Sequence, residues 1–305
     1  MVKVGMIGYN EGNGHPYSFS AIINGFDAKV MQECPYPIIY EYLSKRLPYE
    51  FGVFNFKVTH VWTPFIEISH SIARSTFISN VCNEYMEMLG EVDVVIIATD
   101  DATDHVKIAR IFLDRNIKVF IDKPLCTNLE DLNFFKPYLY NGQLMSCSGL
   151  RFHPNARMSS FLSQADREFI YCHSVCPVDW FKYGIHSLEA IQSIIQSKII
   201  SVQNIGTSNF DTVFVEYLNG KHAIIHRNNL INNGLMVDFY TKSNRRETII
   251  YNDNFSYFKN LLHSLYKFTV GESIEVDPDI TINLIEALIL SNKSLKSQNI
   301  KIPLL

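Results

Sequence analysis

The stretch that decides the fold is VDVVIIATDDATDHVKIARIFLDRNIKVFIDKP, residues 92–124. It opens with a continuous apolar run over residues 92–98, rich in β-branched side chains and too short for a helix, which is typical of a strand covered on both faces of a parallel sheet. An amphipathic helix pattern follows and ends near Asn116, and residues 118–121 predict a second strand. The stretch is therefore a strand–helix–strand unit with its two strands parallel.

Polar residues follow both strands of this unit. Thr-Asp-Asp, residues 99–101, comes after the first strand, and Asp-Lys-Pro, residues 122–124, comes after the second. Because ligands of such sheets bind at the carboxyl ends of the strands, we expect a binding site there. The candidates are Thr99, Asp100, Asp101, Asp122, Lys123 and Pro124, with His105 in the connecting helix.

Length and composition indicate a globular chain with two domains. The chain has 305 residues and a formal net charge of −4, with both signs interspersed. This pattern, together with the lack of any apolar run near the roughly 20 residues that a spanning helix needs, predicts no nucleic-acid partner and no membrane segment. The six cysteines follow neither a disulfide-scaffold nor a zinc-ligand pattern. They favour a reducing cytoplasm and predict no metal site.

The chain begins with a short hydrophobic strand, residues 2–7, that runs into the glycine-rich segment GYNEGNGHP, residues 8–16. A strand, a glycine-rich turn and a helix in this order form the arrangement in which helix N-terminal N–H groups hold a pyrophosphate. The usual fingerprint has glycine at its first, third and sixth places, whereas Asn10 and Asn13 stand at the third and sixth here. The cofactor-binding candidates in this segment are Gly8, Tyr9, Asn10, Gly12, Gly14 and His15.

Two features depart from the usual dinucleotide-binding pattern. Residues 25–55 are longer than a bare crossover requires, so they form an insertion that covers the cofactor cleft, makes a subunit contact or is surface elaboration. The next strand, residues 56–62, ends in Thr63-Pro64, where an Asp or Glu commonly holds the adenosine ribose. Thr63 is the candidate at this end, and the lack of a carboxylate leaves both NAD and NADP open as the cofactor.

After Gly149 the alternation of strands and helices gives way to strands that follow one another. Asn219-Gly220, between VFVEYL and KHAIIH, predicts a two-residue hairpin. The predicted fold class is α/β, with a Rossmann-type doubly wound parallel sheet in residues 1–148 and an α+β domain with an open, mainly antiparallel sheet in residues 149–305. The strands predicted for the second domain are residues 169–175, 200–207, 212–218, 221–226 and 235–241, and its helices are residues 185–196, 254–266 and 281–296.

Asp122-Lys123-Pro124 after a short strand resembles the Glu-Lys-Pro motif of the Gfo/Idh/MocA family of NAD(P)-dependent oxidoreductases, typified by glucose-fructose oxidoreductase and inositol dehydrogenase. LRFHP, residues 150–154, resembles the arginine-containing segment that opens the substrate domain of the family. KYGIH, residues 182–186, resembles its Asp-x-Gly-x-His segment, which points a histidine at the substrate. The chain end, residues 294–304, also matches, so the similarity spans nearly the whole chain.

The resemblance implies a nicotinamide-dependent dehydrogenase acting on a sugar, cyclitol or activated sugar, with NAD or NADP as cofactor. It assigns the catalytic roles to Lys123 and His186, because hydride exchange at a carbinol carbon needs a group that moves the hydroxyl proton. Lys182 stands where many relatives have aspartate, so the usual Asp and His pair is not intact. The substrate-binding candidates are Arg151, Lys182 and Tyr183, and the missing acidic role passes to Asp179, Glu189 or Asp100.

Two alternatives stay open at this point. One is a non-catalytic nucleotide-binding sensor of the same fold, and the other is a reductase of a C=N bond. The expected partners are a small-molecule substrate and further copies of the chain. An open sheet leaves one face to cover, and the resemblance likewise implies a homodimer or homotetramer formed through that sheet.

Overall fold

The computed structural model describes residues 1–154, 169–207, 209–228, 230, 235–242, 246–272 and 275–304. These residues form two compact units, each with its own sheet. The N-terminal unit consists of Met1–Leu125, Asn133–Ser146 and Asn254–Val276. The C-terminal unit consists of Cys126–Leu132, Cys147–Asp253 and Asp277–Leu305.

The N-terminal unit contains a six-stranded sheet in which every neighbouring pair of described strands is parallel. Its strands are β1 (Val2–Ile7), β2 (Phe56–Trp62), β3 (Asn80–Val81), β4 (Val94–Ile97), β5 (Lys118–Ile121) and β6 (Leu144–Ser146). They lie in the order β3-β2-β1-β4-β5-β6, which confirms the predicted doubly wound sheet. The strand order reverses between β1 and β4, so the loops after these two strands flank the crevice in which such sheets bind ligands.

The apolar runs that predicted buried strands are buried. All four residues of β4 are inaccessible to solvent, and in β5 only Lys118 is partly exposed. The helices of the first half of the chain are α1 (His15–Asn24), α2 (Ala28–Met31), α3 (Pro37–Ser44), α4 (Ile66–Ser75), α5 (His105–Leu113) and α6 (Leu129–Tyr140). Residues 83–89 contain a 3-10 turn at Tyr85–Met88.

The insertion carries α2 and α3 and packs on the glycine-rich segment. The hydroxyl of Tyr36 donates to the carbonyl of Asn10 at 3.3 Å, and the hydroxyl of Tyr42 donates to Ser18 Oγ at 2.5 Å. Of the three roles left open by the sequence, these contacts favour the first, in which the insertion covers the cleft at the glycine-rich segment.

The C-terminal unit contains a seven-stranded, mixed sheet. Its strands are β7 (Phe169–Pro177), β8 (Ile199–Asn204), β9 (Phe210–Tyr217), β10 (His222–Asn228), β11 (Met236–Thr241), β12 (Arg246–Ile250) and β13 (Ile302–Pro303), in the order β12-β11-β7-β10-β9-β8-β13. Within the described part of this second sheet, only β10 and β7 pair in parallel, which confirms a mainly antiparallel sheet. A hairpin forms at Asn219-Gly220 as predicted, but its loop has three residues rather than two, because Tyr217 pairs with Lys221 and the N–H of Gly220, at a φ of 80°, donates to the carbonyl of Tyr217 at 3.0 Å. The sequence patterns missed β12 and β13.

Two helices, α7 (Ile185–Ile195) and α9 (Pro278–Lys296), pack against this sheet. Burial alternates along β9, where Val213, Val215 and Tyr217 are buried and the residues between them are half-buried. One face of the sheet is therefore core, and the other is only partly covered within the chain. Searching the described residues, we find no helix long and apolar enough to cross a membrane.

One helix from late in the chain, α8 (Asn254–Val270), belongs to the N-terminal unit. The ring of Phe258 lies 4.9 Å from that of His15 and 5.1 Å from that of Phe19, both on α1. The compact units therefore do not follow the single boundary expected after residue 148, because α8 buries its apolar face on α1. The division into a dinucleotide-binding domain, residues 1–148, and a substrate-binding and oligomerisation domain, residues 149–305, stays a prediction.

Candidate functional site

The glycine-rich segment forms a tight turn between β1 and α1. The N–H of Asn13 donates to the carbonyl of Asn10 at 3.0 Å, and Gly12, between them, has a φ of 87°. Gly8, which follows β1, has a φ of 100°. Residues other than glycine rarely adopt such values, so glycine is required at both positions even though the spacing departs from the usual fingerprint.

The side chain of Asn10 fastens this turn to the loop after β4. Its Oδ1 accepts hydrogen bonds from Thr99 Oγ1 at 2.7 Å and from the N–H of Asp100 at 3.1 Å, and its Nδ2 donates to the Asp100 carboxylate. The glycine of the usual fingerprint has no side chain and makes no such bridge. Three of the predicted cofactor-binding residues therefore meet at the point where the strand order reverses.

Asp122, directly after β5, is bonded to the first residue of α1. Its Oδ2 accepts from His15 Nδ1 at 2.5 Å and lies 3.4 Å from Asn13 Nδ2. Burial alone would raise the pKa of Asp122, but the neighbouring His15 and Lys123 lower it to about 2. The carboxylate is therefore ionised at neutral pH, and it fixes the orientation of the His15 ring.

Lys123, in the loop after β5, and His105, at the start of α5, are both buried. Lys123 is 5% exposed, and its peptide bond to Pro124 is cis. His105 Nδ1 faces the carbonyl of Leu125 at 2.9 Å, and its Nε2 faces the carbonyl of Thr99 at 3.3 Å. Burial lowers the pKa of His105, which keeps the ring neutral. Through these contacts His105 lies against both the loop after β4 and the loop after β5.

Two other candidates make local hydrogen bonds at helix starts. The Thr63 hydroxyl donates to the carbonyl of Phe65 at 2.6 Å, and its N–H donates to Ser69 Oγ at 2.8 Å. The Asp101 carboxylate accepts from the N–H of Thr103 at 3.1 Å and from its hydroxyl at 2.6 Å. These bonds give both residues a structural role that the sequence reading did not assign to them.

Side chains of the insertion pack tightly against Gly14. A Cβ on Gly14 would lie 2.5 Å from Ile39 Cδ1 and 2.6 Å from Tyr36 Cδ2, so no other residue fits without displacing them. By contrast, a Cβ on Gly12 would meet no atom within 4 Å. Gly14 is therefore explained by packing, whereas Gly12 is explained by the backbone conformation of the turn.

In the C-terminal unit, His186 lies in the first turn of α7 and is bonded to Ser148. The distance from His186 Nδ1 to Ser148 Oγ is 2.6 Å, and the N–H of Ser148 donates to Glu189 Oε1 at 3.3 Å. Because residues three apart share a helix face, one turn of α7 holds Ser148 through both side chains. The sequence reading missed Ser148, although it follows a strand in the chain just as Thr99 and Asp122 do.

Arg151, a predicted substrate-binding residue, forms a buried ion pair. Its Nε donates to Glu189 Oε2 at 2.5 Å, and the two side chains are 12% and 2% exposed. Burial raises the pKa of Glu189, and Arg151 offsets this only in part. Arg151 Nη2 is buried and has no hydrogen-bond partner within the described part of the chain. One side of the guanidinium is thus committed to Glu189.

Lys182 and Tyr183 lie in a π-helical turn, Trp180–Gly184, that leads into α7. The Asp179 carboxylate accepts from the N–H of Lys182 at 3.0 Å and so caps this turn. The ring centroid of Tyr183 is 5.8 Å from that of His186. The structure thus brings Tyr183 to His186 and gives Asp179 a capping role.

The N-terminal unit has the features that a dinucleotide phosphate requires. Helix α1 begins after a glycine turn that leaves open space at Gly12. The N–H of His15 is donated to Asn13 Oδ1 at 2.9 Å and Pro16 has no N–H, so phosphate oxygens would be attracted by the positive end of the helix dipole and by the turn before it. Gly8, Asn10, Gly12 and His15 would hold the group, with Thr99 and Asp100 across the crevice. Within the described residues no three His, Cys, Asp or Glu side chains are arranged to hold a metal ion.

Residues 2–137 match the model of a family described as oxidoreductase family, NAD-binding Rossmann fold. No curated protein sequence matches the chain. Its structure is similar to scyllo-inositol dehydrogenase from Lactobacillus casei, with a TM-score of 0.76, 10% identity, and 99% of this chain and 98% of that chain covered. For myo-inositol 2-dehydrogenase from Lactobacillus plantarum the TM-score is 0.75 and the identity 12%, with 100% and 99% covered.

A further structure of the Lactobacillus casei enzyme, with bound NAD(H) and scyllo-inositol, has a TM-score of 0.72 and 12% identity, with 99% of each chain covered. At such identities the likeness shows the fold. The family model adds that the sheet carrying the glycine turn is of the NAD-binding kind, which confirms a nicotinamide dinucleotide as the family's cofactor. Residues 2–137 are therefore similar to the NAD-binding Rossmann fold of the Gfo/Idh/MocA oxidoreductases.

Proposed function

We propose that the chain is an NAD(P)-dependent dehydrogenase acting on a CH–OH group of a sugar, cyclitol or activated sugar. One observation carries this proposal: the loops after β1, β4 and β5 combine a glycine turn, an ionised carboxylate and a buried lysine in one unit. The inositol dehydrogenases that share the fold support a polyol substrate. When bound, the nicotinamide ring accepts or donates the hydride.

Lys123 moves the hydroxyl proton of the substrate in this proposal. The residue is almost completely buried, and the ionised Asp122 beside it compensates an ammonium group in a place where a lone charge would be unfavourable. Asp122 in turn orients His15 through Nδ1, which holds the start of α1 in position for the dinucleotide phosphate. Lys123 thus carries the chemistry, and Asp122 with His15 positions the groups around it.

His186 is the second catalytic residue that we propose, and Ser148 is its positioning residue. The bond between Ser148 Oγ and His186 Nδ1 fixes the ring and turns Nε2 away from Ser148, as a proton-transferring histidine requires. Ser148→Ala is expected to lower kcat and to shift the pH profile of kcat. An unchanged pH profile would remove Ser148 from this role. Tyr183, Lys182 and the uncommitted Nη2 of Arg151 stay as proposed substrate contacts.

The test is a substrate screen that follows nicotinamide absorbance, with sugars and cyclitols offered in turn with NAD and NADP, and cyclic imines with NADH and NADPH. We expect turnover with at least one polyol, and its loss in Lys123→Met. Saturable binding of NADH without turnover on any substrate would favour the sensor. Turnover with cyclic imines alone would favour the C=N reductase.

We also propose that the chain forms a homodimer or homotetramer through the partly covered face of the C-terminal sheet. On this face the rings of Tyr171 and Tyr240 stack at 4.7 Å, and His222 stacks on Tyr171 at 5.4 Å. A row of aromatic groups on an open sheet supports burial against a second copy. Light scattering is expected to give a mass of two or four chains, and a monomer at high micromolar concentration would contradict the proposal.

A reducing compartment, such as the cytoplasm, is the location that we propose. All six cysteines are buried free thiols, which supports a protein made where disulfides do not form. Alkylation of denatured protein taken directly from cells is expected to modify all six. Fewer modified thiols would indicate an oxidising location.

A further inference from the structure

Three aromatic rings border the place where β1 and β2 end. The ring centroid of Tyr9, the residue after the first glycine of the turn, lies 6.2 Å from that of Tyr36 and 6.2 Å from that of Phe65. The Tyr9 and Phe65 rings are at 90° to each other. Phe65 is 55% exposed, so a large apolar ring stands in water beside the nucleotide-binding turn. A planar partner would remove that surface from water.

The usual ribose ligand is missing at the same place. The segment WTPFI, residues 62–66, contains no carboxylate, and the Thr63 hydroxyl is donated to the carbonyl of Phe65. The next acidic residue is Glu67, which is exposed in the first turn of α4. The position from which an Asp or Glu normally accepts the ribose hydroxyls therefore presents an aromatic surface instead.

Tyr36, which belongs to the insertion, fixes the position of Tyr9. Tyr36 contacts Tyr9 and also Tyr17, at a centroid distance of 6.5 Å, and its hydroxyl is bonded to the carbonyl of Asn10. Tyr36 also fills the space in which a Cβ of Gly14 would lie. These contacts hold Tyr9 against the glycine turn on the side of β2.

We infer that Phe65 stacks on the adenine ring of the dinucleotide while Tyr9, whose ring is perpendicular to that of Phe65, contacts the edge of the adenine, and that these contacts replace the ribose–carboxylate hydrogen bonds. This inference rests on the proposed function, because it takes the dinucleotide site as given. Stacking does not depend on the substituent at the ribose 2′ position, and no carboxylate follows β2 directly to repel a 2′-phosphate. The chain therefore binds NAD and NADP with similar affinity.

The experiment uses ADP-ribose, which lacks the nicotinamide, titrated by calorimetry beside NADH and NADPH. The wild-type dissociation constants for NADH and NADPH are expected to agree within about tenfold, in contrast to the strong selectivity of sites built on a carboxylate. Phe65→Ser should weaken ADP-ribose binding about 5-fold to 150-fold, the effect of losing one stacked aromatic partner, and Tyr9→Leu about 2-fold to 12-fold, the effect of losing an edge contact. Tyr9→Phe keeps the ring and should bind ADP-ribose like the wild type.

The matched control is Phe77→Ser. Phe77 is a phenylalanine of the same unit with a similar exposure, 52%, but it lies beyond the opposite end of α4, so its replacement should leave ADP-ribose binding unchanged. Affinity for reduced nicotinamide mononucleotide, which has no adenosine half, should be the same in all variants. The unfolding midpoint of each variant shows whether the N-terminal unit is intact.

Different results separate the inference from the proposed function. Wild-type protein that binds neither NADH nor NADPH would contradict the proposed function itself. NADH binding with ADP-ribose affinity unchanged in both Phe65→Ser and Tyr9→Leu would contradict only the stacking inference. A preference above about a hundredfold between NADH and NADPH would also contradict it. If Glu67→Gln removed that preference, Glu67 would be the ribose ligand.

Discussion

Each unit of the chain contains a buried carboxylate paired with a basic side chain, and the two pairs differ. In the N-terminal unit the pKa of Asp122 is lowered to about 2, because His15 and the adjacent Lys123 outweigh burial. In the C-terminal unit burial raises the pKa of Glu189, even though Arg151 donates to it at 2.5 Å. The surroundings of Asp122 favour its charged form, whereas burial disfavours the charged form of Glu189.

This difference indicates different tasks. Asp122 lies in a loop at the end of a strand, next to the lysine to which we assign proton transfer. Glu189 lies on α7 and is bonded to Arg151 and to Ser148, and Ser148 is in turn bonded to His186. The Glu189–Arg151 pair therefore helps to hold the residue that positions His186. We therefore expect changes near Asp122 to affect turnover and changes at the Glu189 pair to affect stability.

The largest expected effect is on turnover in Lys123→Met. General acid–base groups contribute about 10² to 10⁴ in rate, so kcat should fall by that factor while the dissociation constant for NADH changes little. His186→Ala should act in the same direction, and the double variant should lose less than the product of the two factors. Steady-state kinetics and NADH titration measure these quantities.

The control for this comparison is Lys107→Met, which changes an exposed lysine on α5 and should leave kcat unaltered. A decrease of less than about tenfold in Lys123→Met would be too small for a proton-transfer group. In that case the contrast between the two carboxylate pairs would have no catalytic meaning.

The next effect is on stability in Arg151→Met. Removing one partner of a buried ion pair typically destabilises a protein by about 3 to 5 kcal/mol, because the other charge is left uncompensated. Replacing both partners, in Arg151→Met with Glu189→Leu, should restore much of the loss for the same reason. Lys45→Met, which breaks an exposed pair with Glu41, should lower the free energy of unfolding by at most about 1 kcal/mol.

Urea unfolding measures all three free energies. If Arg151→Met unfolds at the wild-type urea concentration, the guanidinium is not the structural partner of Glu189. Its predicted role as a substrate contact would then become the better account of Arg151.

The smallest effect is the response of the two carboxylates to acid. The folded-state pKa of Asp122 is about 2 and its ordinary value is 3.8, so its stabilising contribution is present above about pH 4 and is lost as the pH falls through 2. This contribution amounts to about 2 kcal/mol. Glu189 has a raised pKa, so its protonation in acid relieves an unfavourable charge and has the opposite sign.

Urea unfolding between about pH 7 and pH 3 tests this contrast. It is measured for wild type, Asp122→Asn and Glu189→Gln. As the pH falls, the advantage of wild type over Asp122→Asn should shrink, while wild type should gain relative to Glu189→Gln. Parallel curves for the two variants would mean that the carboxylates do not differ in the way described.

Local patterns were sufficient for the parts of the fold that depend on neighbouring residues. The apolar run of β4 and the Asn219-Gly220 hairpin are examples, because strand burial and turn type are set within a few residues. The packing of α8 on α1 was not predictable in this way. It joins residues far apart in the chain, and the sequence of α8 does not show which domain its apolar face packs on.

In the candidate site, too, local patterns were sufficient for some residues and contacts between distant residues were not predictable. The strand-end rule identified Thr99, Asp100 and Asp122, which the structure brings to the crevice edge of one sheet. It did not reveal that Asn10 bridges to Thr99, 89 residues away, or that Glu189 takes up Arg151. Such pairings depend on the register of distant elements, which hydrophobic periodicity does not encode.

The central claim is that the glycine turn of the N-terminal unit holds a nicotinamide dinucleotide. The most direct test is a fluorescence titration of NADH against wild type and Gly12→Val. Gly12 is the appropriate position, because its φ of 87° excludes a β-branched residue while a new side chain meets no neighbour. Wild type should bind NADH saturably, and the folded Gly12→Val variant should bind it at least about tenfold more weakly. Equal affinity in the two proteins, or no saturable binding by wild type, would contradict the claim.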